Sequence, residues 1–230
     1  MRGATVRLWA LHLLADAVLL AGVYLWLSIG DATGLQLATT AVFGLLVAVF
    51  GVWLQGTVFA HFSDPEMPFL QIYKASLRRL LPLLGVAVLA AAVYWLLQWL
   101  LGRADSPASN IASWLTLHLR KPIHPAWILS VITWKVRIIE WVVVPVLLLP
   151  LAAGQFARVR DWKFWIACPV LLVIAIYVPW RLMYWVPYHG GLGLEMTSFI
   201  ARWLGAWLLF VTAWFALVAL TCFRKSGAGS

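Results

Sequence analysis

The sequence predicts an all-α polytopic membrane protein, with six transmembrane helices and short interfacial helices. Its composition is the first reason, because 64% of the 230 residues are hydrophobic and only 11% are charged. Soluble domains carry about a quarter charged residues. The second reason is that apolar runs of about 20 residues, the length that crosses a bilayer as a helix, recur along the chain. No linker divides these runs, so we expect one domain over residues 1–225 and a flexible tail at 226–230.

The apolar runs delimit the predicted spans. We place them at about 8–29, 35–60, 79–101, 128–152, 164–187 and 195–222. The first run resembles a signal peptide, because basic residues precede it. It extends over about 20 residues, however, and a signal h-region has roughly 7–15. We therefore expect it to be retained as the first span.

Basic residues are distributed unevenly between the two sides of the predicted membrane. One side holds Arg2, Arg7, Lys74, Arg78, Arg79, Arg158, Arg160, Lys163, Arg224 and Lys225. The connections on the other side hold only Arg103, Arg120 and Lys121. Short cytoplasmic segments of membrane proteins are enriched in lysine and arginine. Both termini are therefore predicted to be cytoplasmic, and the net charge of +9 is read as a topology signal rather than as a nucleic-acid surface.

The outer connection, residues 102–127, predicts an interfacial helix. Ser106 is suited to the N-cap and Pro107 to the first helical position. The helix would end at Lys121 and Pro122. Its shared face would consist of Ile111, Trp114, Leu115 and His118. Such a helix would lie on the bilayer or cover something beneath it.

A second short surface helix is predicted where the chain enters the third span, after Pro68. Its apolar residues fall near helical spacing. The stretch FLQIYKASLRRLLPLLGVAVLAAAVYW, residues 69–95, carries Lys74, Arg78 and Arg79 before Pro82. It resembles the stretch entering a span in the YciC-like and related six-helix bacterial inner-membrane proteins. The resemblance implies a bacterial cytoplasmic membrane and implies no catalytic residue.

Charged residues concentrate in the outer half of the last three predicted spans. They are Lys135, Arg137, Glu140, Arg181, Glu195 and Arg202. A charge at the bilayer centre costs at least about 2.5–3.5 kcal/mol, so these residues need partners, water or a ligand. Basic residues are in excess, and arginine matches phosphate or carboxylate bidentately. The pattern predicts an outward-facing anion site, to which Tyr184 and His189 are added because they follow Arg181 in the sequence.

Two alternatives need no ligand. In the first, the charges form a self-compensating network in which Arg137 pairs with Glu140 and Arg202 with Glu195. Arg137 and Glu140 are three residues apart and so are neighbours on a helix surface. In the second, residues 138–156 span the membrane alone. Lys135 and Arg137 would then lie at the outer boundary and extend into water.

The first span contains a separate polar pair, His12 and Asp16, four residues apart on one face. A buried carboxylate beside a histidine is a candidate proton relay. The alternative is that Asp16 bonds to a facing helix and does nothing more.

No motif in the sequence indicates a cofactor or a metal. Haem ligation needs two histidines at matched depth on facing helices, and His12 with His61 is the one candidate pair in the sequence. Zincin, P-loop, dinucleotide-binding and serine-elbow patterns are absent from the sequence. Cys168 and Cys222 are predicted to be free, buried thiols that behave as small hydrophobic groups.

Three functions follow from these observations. The first is an inner-membrane protein that binds an anionic amphiphile, a phospholipid or a polyprenyl phosphate, at the outer basic cluster, and could be a component of transport. The second is a non-catalytic accessory or assembly subunit of a larger membrane complex. The third is an intramembrane enzyme with Glu195 or His189 as base, ranked last because no nucleophile stands at a recognisable spacing. Membrane lipids are the expected partners, with other membrane subunits or a second copy as further candidates.

Overall fold

The computed structural model describes residues 2–30, 32–184 and 191–222, and the side chains within these ranges from Thr5 onward. His189, residues 185–187 of the predicted fifth span and the tail at 226–230 lie outside them. The described α-helices are α1 Arg2–Ser28, α2 Gly34–Ser63, α3 Phe69–Leu101, α4 Asp105–Leu119, α5 Pro125–Ile138, α6 Val144–Ala153, α7 Trp162–Leu172, α8 Val178–Tyr184 and α9 Leu192–Cys222. No strand occurs in these ranges, which confirms the all-α prediction.

Two π-helical segments each join two α-helices into one longer continuous helix. Ile139–Val143 joins α5 to α6, and Val173–Tyr177 joins α7 to α8. Counted in this way, six segments of the described chain are long and apolar enough to cross a membrane. They begin and end at Thr5–Ser28, Gly34–Ser63, Phe69–Leu101, Pro125–Ala153, Trp162–Tyr184 and Leu192–Cys222. The protein is therefore a multi-pass membrane protein, as predicted.

The first and last helices meet at one end of the bundle. Leu8 of α1 and Cys222 of α9 belong to the same buried cluster. Val58 of α2, Leu83 of α3 and Ala153 of α6 complete the contact among the spans at that end. Because successive spans run in opposite directions, the end of α3, the start of α5, the end of α8 and the start of α9 lie at the opposite end.

The predicted surface helix before the third span is the first part of α3. The helix begins at Phe69 and continues through Pro82 without a break. Ile72 and Ser76, on one side of the proline, and Leu83, on the other, are all buried. Packing against α2 thus continues across the position where proline removes a hydrogen bond. The predicted span, 79–101, therefore covered only the later part of α3.

The predicted outer helix is α4, and it pairs with α5. It begins at Asp105, after Ala104, whose side chain makes no capping hydrogen bond, and not after the predicted cap Ser106. It ends before Arg120, which adopts the left-handed conformation at φ 52°.

The face of α4 that packs against α5 carries small residues. Ala108 and Ala112 are buried with Ile128 of α5. Of the predicted face, Ile111, Trp114 and His118 are exposed, whereas Leu115 is half-buried and packs against this cluster. Small residues allow two helices to approach closely, so the face of α4 with the two alanines is the one that packs against α5.

The close approach of α1 and α2 depends on Gly44. A Cβ atom there would lie 2.8 Å from Trp26 Nε1, which donates a hydrogen bond to Thr40 O at 2.9 Å. Gly44→Ala is expected to lower the free energy of unfolding by about 1–3 kcal/mol, the usual result of overpacking. Thermal unfolding in detergent checks this. Gly85→Ala is the matched control, because no atom lies within 4 Å of its added Cβ. Equal melting temperatures for the two variants would contradict the prediction.

Candidate functional site

A buried carboxylate lies where α3 meets the first π-helical segment. The side chain of Glu140 is only 3% exposed. Arg137 donates from a guanidinium nitrogen to Glu140 Oε2 at 2.7 Å, so the predicted ion pair is present. Gln98 Nε2 donates to Glu140 Oε1. Glu140 therefore joins α5, which carries Arg137, to α3, which carries Gln98.

The π-helical geometry at Glu140 has a local cause. The N–H of Val144 bonds to the carbonyl of Ile139, five residues earlier. In this register the carbonyl of Glu140 would accept from residue 145, which is proline and has no N–H. The hydroxyl of Tyr94 on α3 donates to that carbonyl instead, at 2.8 Å. A side chain thus replaces the missing backbone donor.

The second π-helical segment has the same backbone hydrogen-bond pattern and is also followed by a proline. The N–H of Val178 bonds to the carbonyl of Val173, again five residues earlier. Pro179 follows directly, as Pro145 follows Val144. A proline ring clashes with the carbonyl four residues before it, and one extra residue in the turn relieves the clash. Such bulges occur frequently at functional sites.

The contact between Gln98 and Glu140 shows how far α5 extends. Gln98 is three residues from the end of α3, so Glu140 lies level with the last turn of that helix. The part of α5 before Glu140 continues beyond α3 and packs against α4. Lys135 and Arg137, both exposed, are on this extension. This placement supports the alternative in which Lys135 and Arg137 lie at the outer boundary of the membrane.

A groove of about 590 Å³ adjoins the buried carboxylate, with Arg137 and Glu140 in its wall. Trp95 and Trp141 line it on the apolar side. Arg137 and Glu140 neutralise each other, which weakens the attraction of this groove for an anion. The arrangement is suited to holding α3 against α5 and α6.

A second groove, of about 400 Å³, surrounds Arg181 on α8. Tyr177 and Tyr184 line it together with Val178 and Leu182. Arg181 is exposed to it. Among the residues that the structure describes, no carboxylate forms an ion pair with Arg181. The groove therefore presents an exposed cation together with two tyrosine side chains.

Arg202 ties α9 to the last turn of α8. Its guanidinium donates to the carbonyl oxygens of Ser198, at 3.2 Å, and of Met183, at 3.4 Å. Glu195 is exposed in the first turn of α9. Within the described part of the chain, the grooves at Arg137 and at Arg181 have no lining residue in common. The structure thus joins Arg137 with Glu140 and Arg181 with Tyr184, and the single cluster stays a prediction.

The predicted relay pair lies inside the bundle. His12 Nε2 is 3.6 Å from Asp16 Oδ2, and His12 packs edge-on against Phe215 with ring centroids 5.3 Å apart. Among the described residues, Asp16 Oδ2 is buried without a hydrogen-bond partner, and no bond joins this atom to a facing helix. Nearer the end of α2, His61 Nε2 is within 3.0 Å of Thr5 Oγ1.

Sequence reasoning missed Tyr94 and Gln98. They stand four residues apart on α3 and so share one face of that helix. Gln98 is also a polar residue in a strongly apolar segment. Both signals were available, but the sequence does not show which carboxylate they meet.

Neither a protein-family model, nor a curated protein, nor a solved structure matches the chain. The resemblance of residues 69–95 to YciC-like proteins therefore stays a prediction. In the described part of the chain, no group of three or more histidine, cysteine, aspartate or glutamate residues could hold a metal ion. Cys168 and Cys222 are free and buried, as predicted.

Proposed function

We propose that this membrane protein binds an anionic amphiphile, a phospholipid or a polyprenyl phosphate, with its head group on Arg181. The observation that carries the proposal is an exposed guanidinium in a membrane span without a carboxylate partner among the described residues. A cation at such a position requires water or an anion. A phosphate would satisfy it with two parallel charge-assisted hydrogen bonds.

The groove around Arg181 suits an amphiphile in shape as well as in charge. Tyr177 and Tyr184 line the groove together with Arg181, and their hydroxyl groups can donate to a phosphate oxygen. Trp180 packs against both tyrosines, with ring centroids 5.8 and 5.0 Å apart. Aromatic belts of this kind mark the boundary between water and lipid. The acyl or prenyl chain would extend along the apolar helix surface from there.

The location of this groove indicates which leaflet supplies the ligand. It lies at the end of the bundle opposite Leu8 and Cys222. We propose that the end with Leu8 and Cys222 is cytoplasmic, because the basic connections of the chain belong to it. Arg181 would then face the outer leaflet of a bacterial cytoplasmic membrane. A head-group site in that leaflet suits a component of lipid transport.

The test measures lipid retention. Wild type and Arg181→Gln are extracted gently, equilibrated with phosphatidylglycerol and weighed by native mass spectrometry. We expect Arg181→Gln to retain about tenfold less lipid, because a charge-assisted hydrogen bond contributes about 1.5–3 kcal/mol. Arg120→Gln is the control, since Arg120 is also exposed in an outer connection.

Each contrary outcome has a definite meaning. Equal retention by wild type and Arg181→Gln would remove Arg181 from the site. Loss of lipid only in the double variant Arg137→Gln/Glu140→Gln would mean that the head group binds in the groove at the buried carboxylate instead. A chain that carries no lipid, and is found only with a protein partner at fixed stoichiometry, would favour the accessory-subunit function.

A further inference from the structure

Two open apolar grooves between the helices share one polar region. Their volumes are about 540 and 520 Å³, and Asp16, Leu19 and Gln55 contribute to the walls of both. The first groove extends among α2, α3 and α6 and reaches Trp214 on α9. The second follows α8 and α9. Each volume lies in the range of roughly 300–1,000 Å³ that is typical of small-molecule sites.

Three residues that line the first groove each carry a polar atom without a hydrogen-bond partner among the described residues. The atoms are Asp16 Oδ2, Gln55 Oε1 and Trp214 Nε1, and all three are buried. His12 Nε2, at 3.6 Å from Asp16 Oδ2, is too far away to form a hydrogen bond. An unsatisfied buried polar group costs about 1–3 kcal/mol. Most such groups in folded proteins have a partner, so three on residues of one groove favour a polar ligand there.

The chemistry of these atoms defines the ligand. Asp16 and Gln55 present acceptor oxygens, whereas the indole N–H of Trp214 is a donor only. A hydroxyl group has one hydrogen to donate and two lone pairs to accept with. It can donate to an acceptor on Asp16 or Gln55 and accept from Trp214. A phosphate has no comparable fit, because the Asp16 carboxylate would repel it.

The walls of the groove define the rest of the ligand. Apart from the polar atoms, the lining is aliphatic and aromatic, with Leu83, Leu148 and Leu172 among its members. We propose that the grooves at Asp16 bind a lipid alcohol, a long apolar chain that ends in one hydroxyl group. This site is separate from the anion groove at Arg181, with which neither groove shares a lining residue.

The experiment compares two ligands with the same chain. Full-length protein in lipid nanodiscs is equilibrated with tritiated geranylgeraniol, or with its methyl ether, which cannot donate a hydrogen bond. Bound radioactivity is counted after gel filtration. Wild type is expected to retain the alcohol about tenfold better than the ether. Asp16→Leu/Gln55→Leu is expected to bring this ratio to about one, since both acceptors are gone.

Two tryptophan substitutions test the hydrogen-bond donor separately from the acceptors. Trp214→Phe is expected to lower the retention of alcohol and ether alike by several fold, because both ligands accept from the indole N–H. Trp53→Phe is the matched control. Trp53 Nε1 is also buried without a partner, yet Trp53 lines neither groove at Asp16. This control is expected to retain both ligands as wild type does.

The outcomes that overturn the inference are specific. Equal retention of alcohol and ether by wild type would show that Asp16 and Gln55 do not recognise the hydroxyl group. Equal losses in Trp214→Phe and Trp53→Phe would remove the donor from the site. Retention of neither ligand above the level of empty nanodiscs would mean that water satisfies these atoms. The wild-type comparison stands even if a variant does not fold.

Discussion

Arg137→Leu is expected to lower the free energy of unfolding by about 3 kcal/mol. The substitution leaves the buried Glu140 carboxylate with Gln98 as its remaining side-chain partner. Removing one member of a buried ion pair costs about 3–5 kcal/mol, because the other charge stays buried. The side chain of Arg137 is 48% exposed, which places the expected loss at the lower end of that range. Equilibrium unfolding in mixed micelles measures it.

A double variant shows whether Arg137→Leu is destabilising because a lone charge stays buried or because packing contacts are lost. Arg137→Leu/Glu140→Leu removes both charges and is expected to be more stable than Arg137→Leu alone, because replacing a buried ion pair by apolar residues is often neutral. Lys135→Leu serves as the control, since Lys135 is exposed two residues before Arg137. A double variant no more stable than the single one would mean that the ion pair contributes only packing.

Tyr94→Phe is expected to cost about 1–3 kcal/mol of stability. The change removes one hydroxyl group and leaves the ring. That hydroxyl donates to the carbonyl of Glu140, whose π-helical donor would have been the absent N–H of Pro145. In the membrane no bulk water replaces the donor, so the carbonyl is left unsatisfied. Thermal unfolding of the purified variant measures the loss.

A second substitution tests the same explanation in reverse. Pro145→Ala supplies an N–H at the position from which the carbonyl of Glu140 would accept. The double variant Tyr94→Phe/Pro145→Ala is therefore expected to be more stable than Tyr94→Phe. Tyr24→Phe, at an exposed tyrosine of α1, is the control and is expected to match wild type. If Pro145→Ala recovers nothing, the hydroxyl of Tyr94 does not substitute for a backbone donor.

The helices were largely predictable because their signal is local. Crossing a bilayer as a helix takes about 20 apolar residues, and such a run is visible without any knowledge of packing. The start of α3 was less predictable: the third span was expected from residue 79, whereas α3 begins at Phe69. Hydropathy reports where a helix enters lipid, and a helix can begin in water before that point.

The contacts of the candidate site were predictable only where both residues belong to one helix. The pairing of Arg137 with Glu140 follows from a spacing of three residues on one helix. The contact of Glu140 with Gln98 joins residues of separate spans, and no spacing rule predicts it. Depth along each span was readable from the sequence, and it suggested one cluster of charges. The order of the helices around the bundle is set by packing, and it gives Arg137 and Arg181 grooves with no common lining residue.

By itself the sequence determined the class of the protein, its spans and the local ion pair, since each depends on composition or on spacing within one helix. The tertiary structure alone decided which polar atoms meet and which stay without a partner. Asp16, Gln55 and Trp214 come from three different helices, and only the packing of those helices brings them to one groove. In a medium without water each unpaired polar atom is costly, so the places where such atoms gather identify the candidate binding sites.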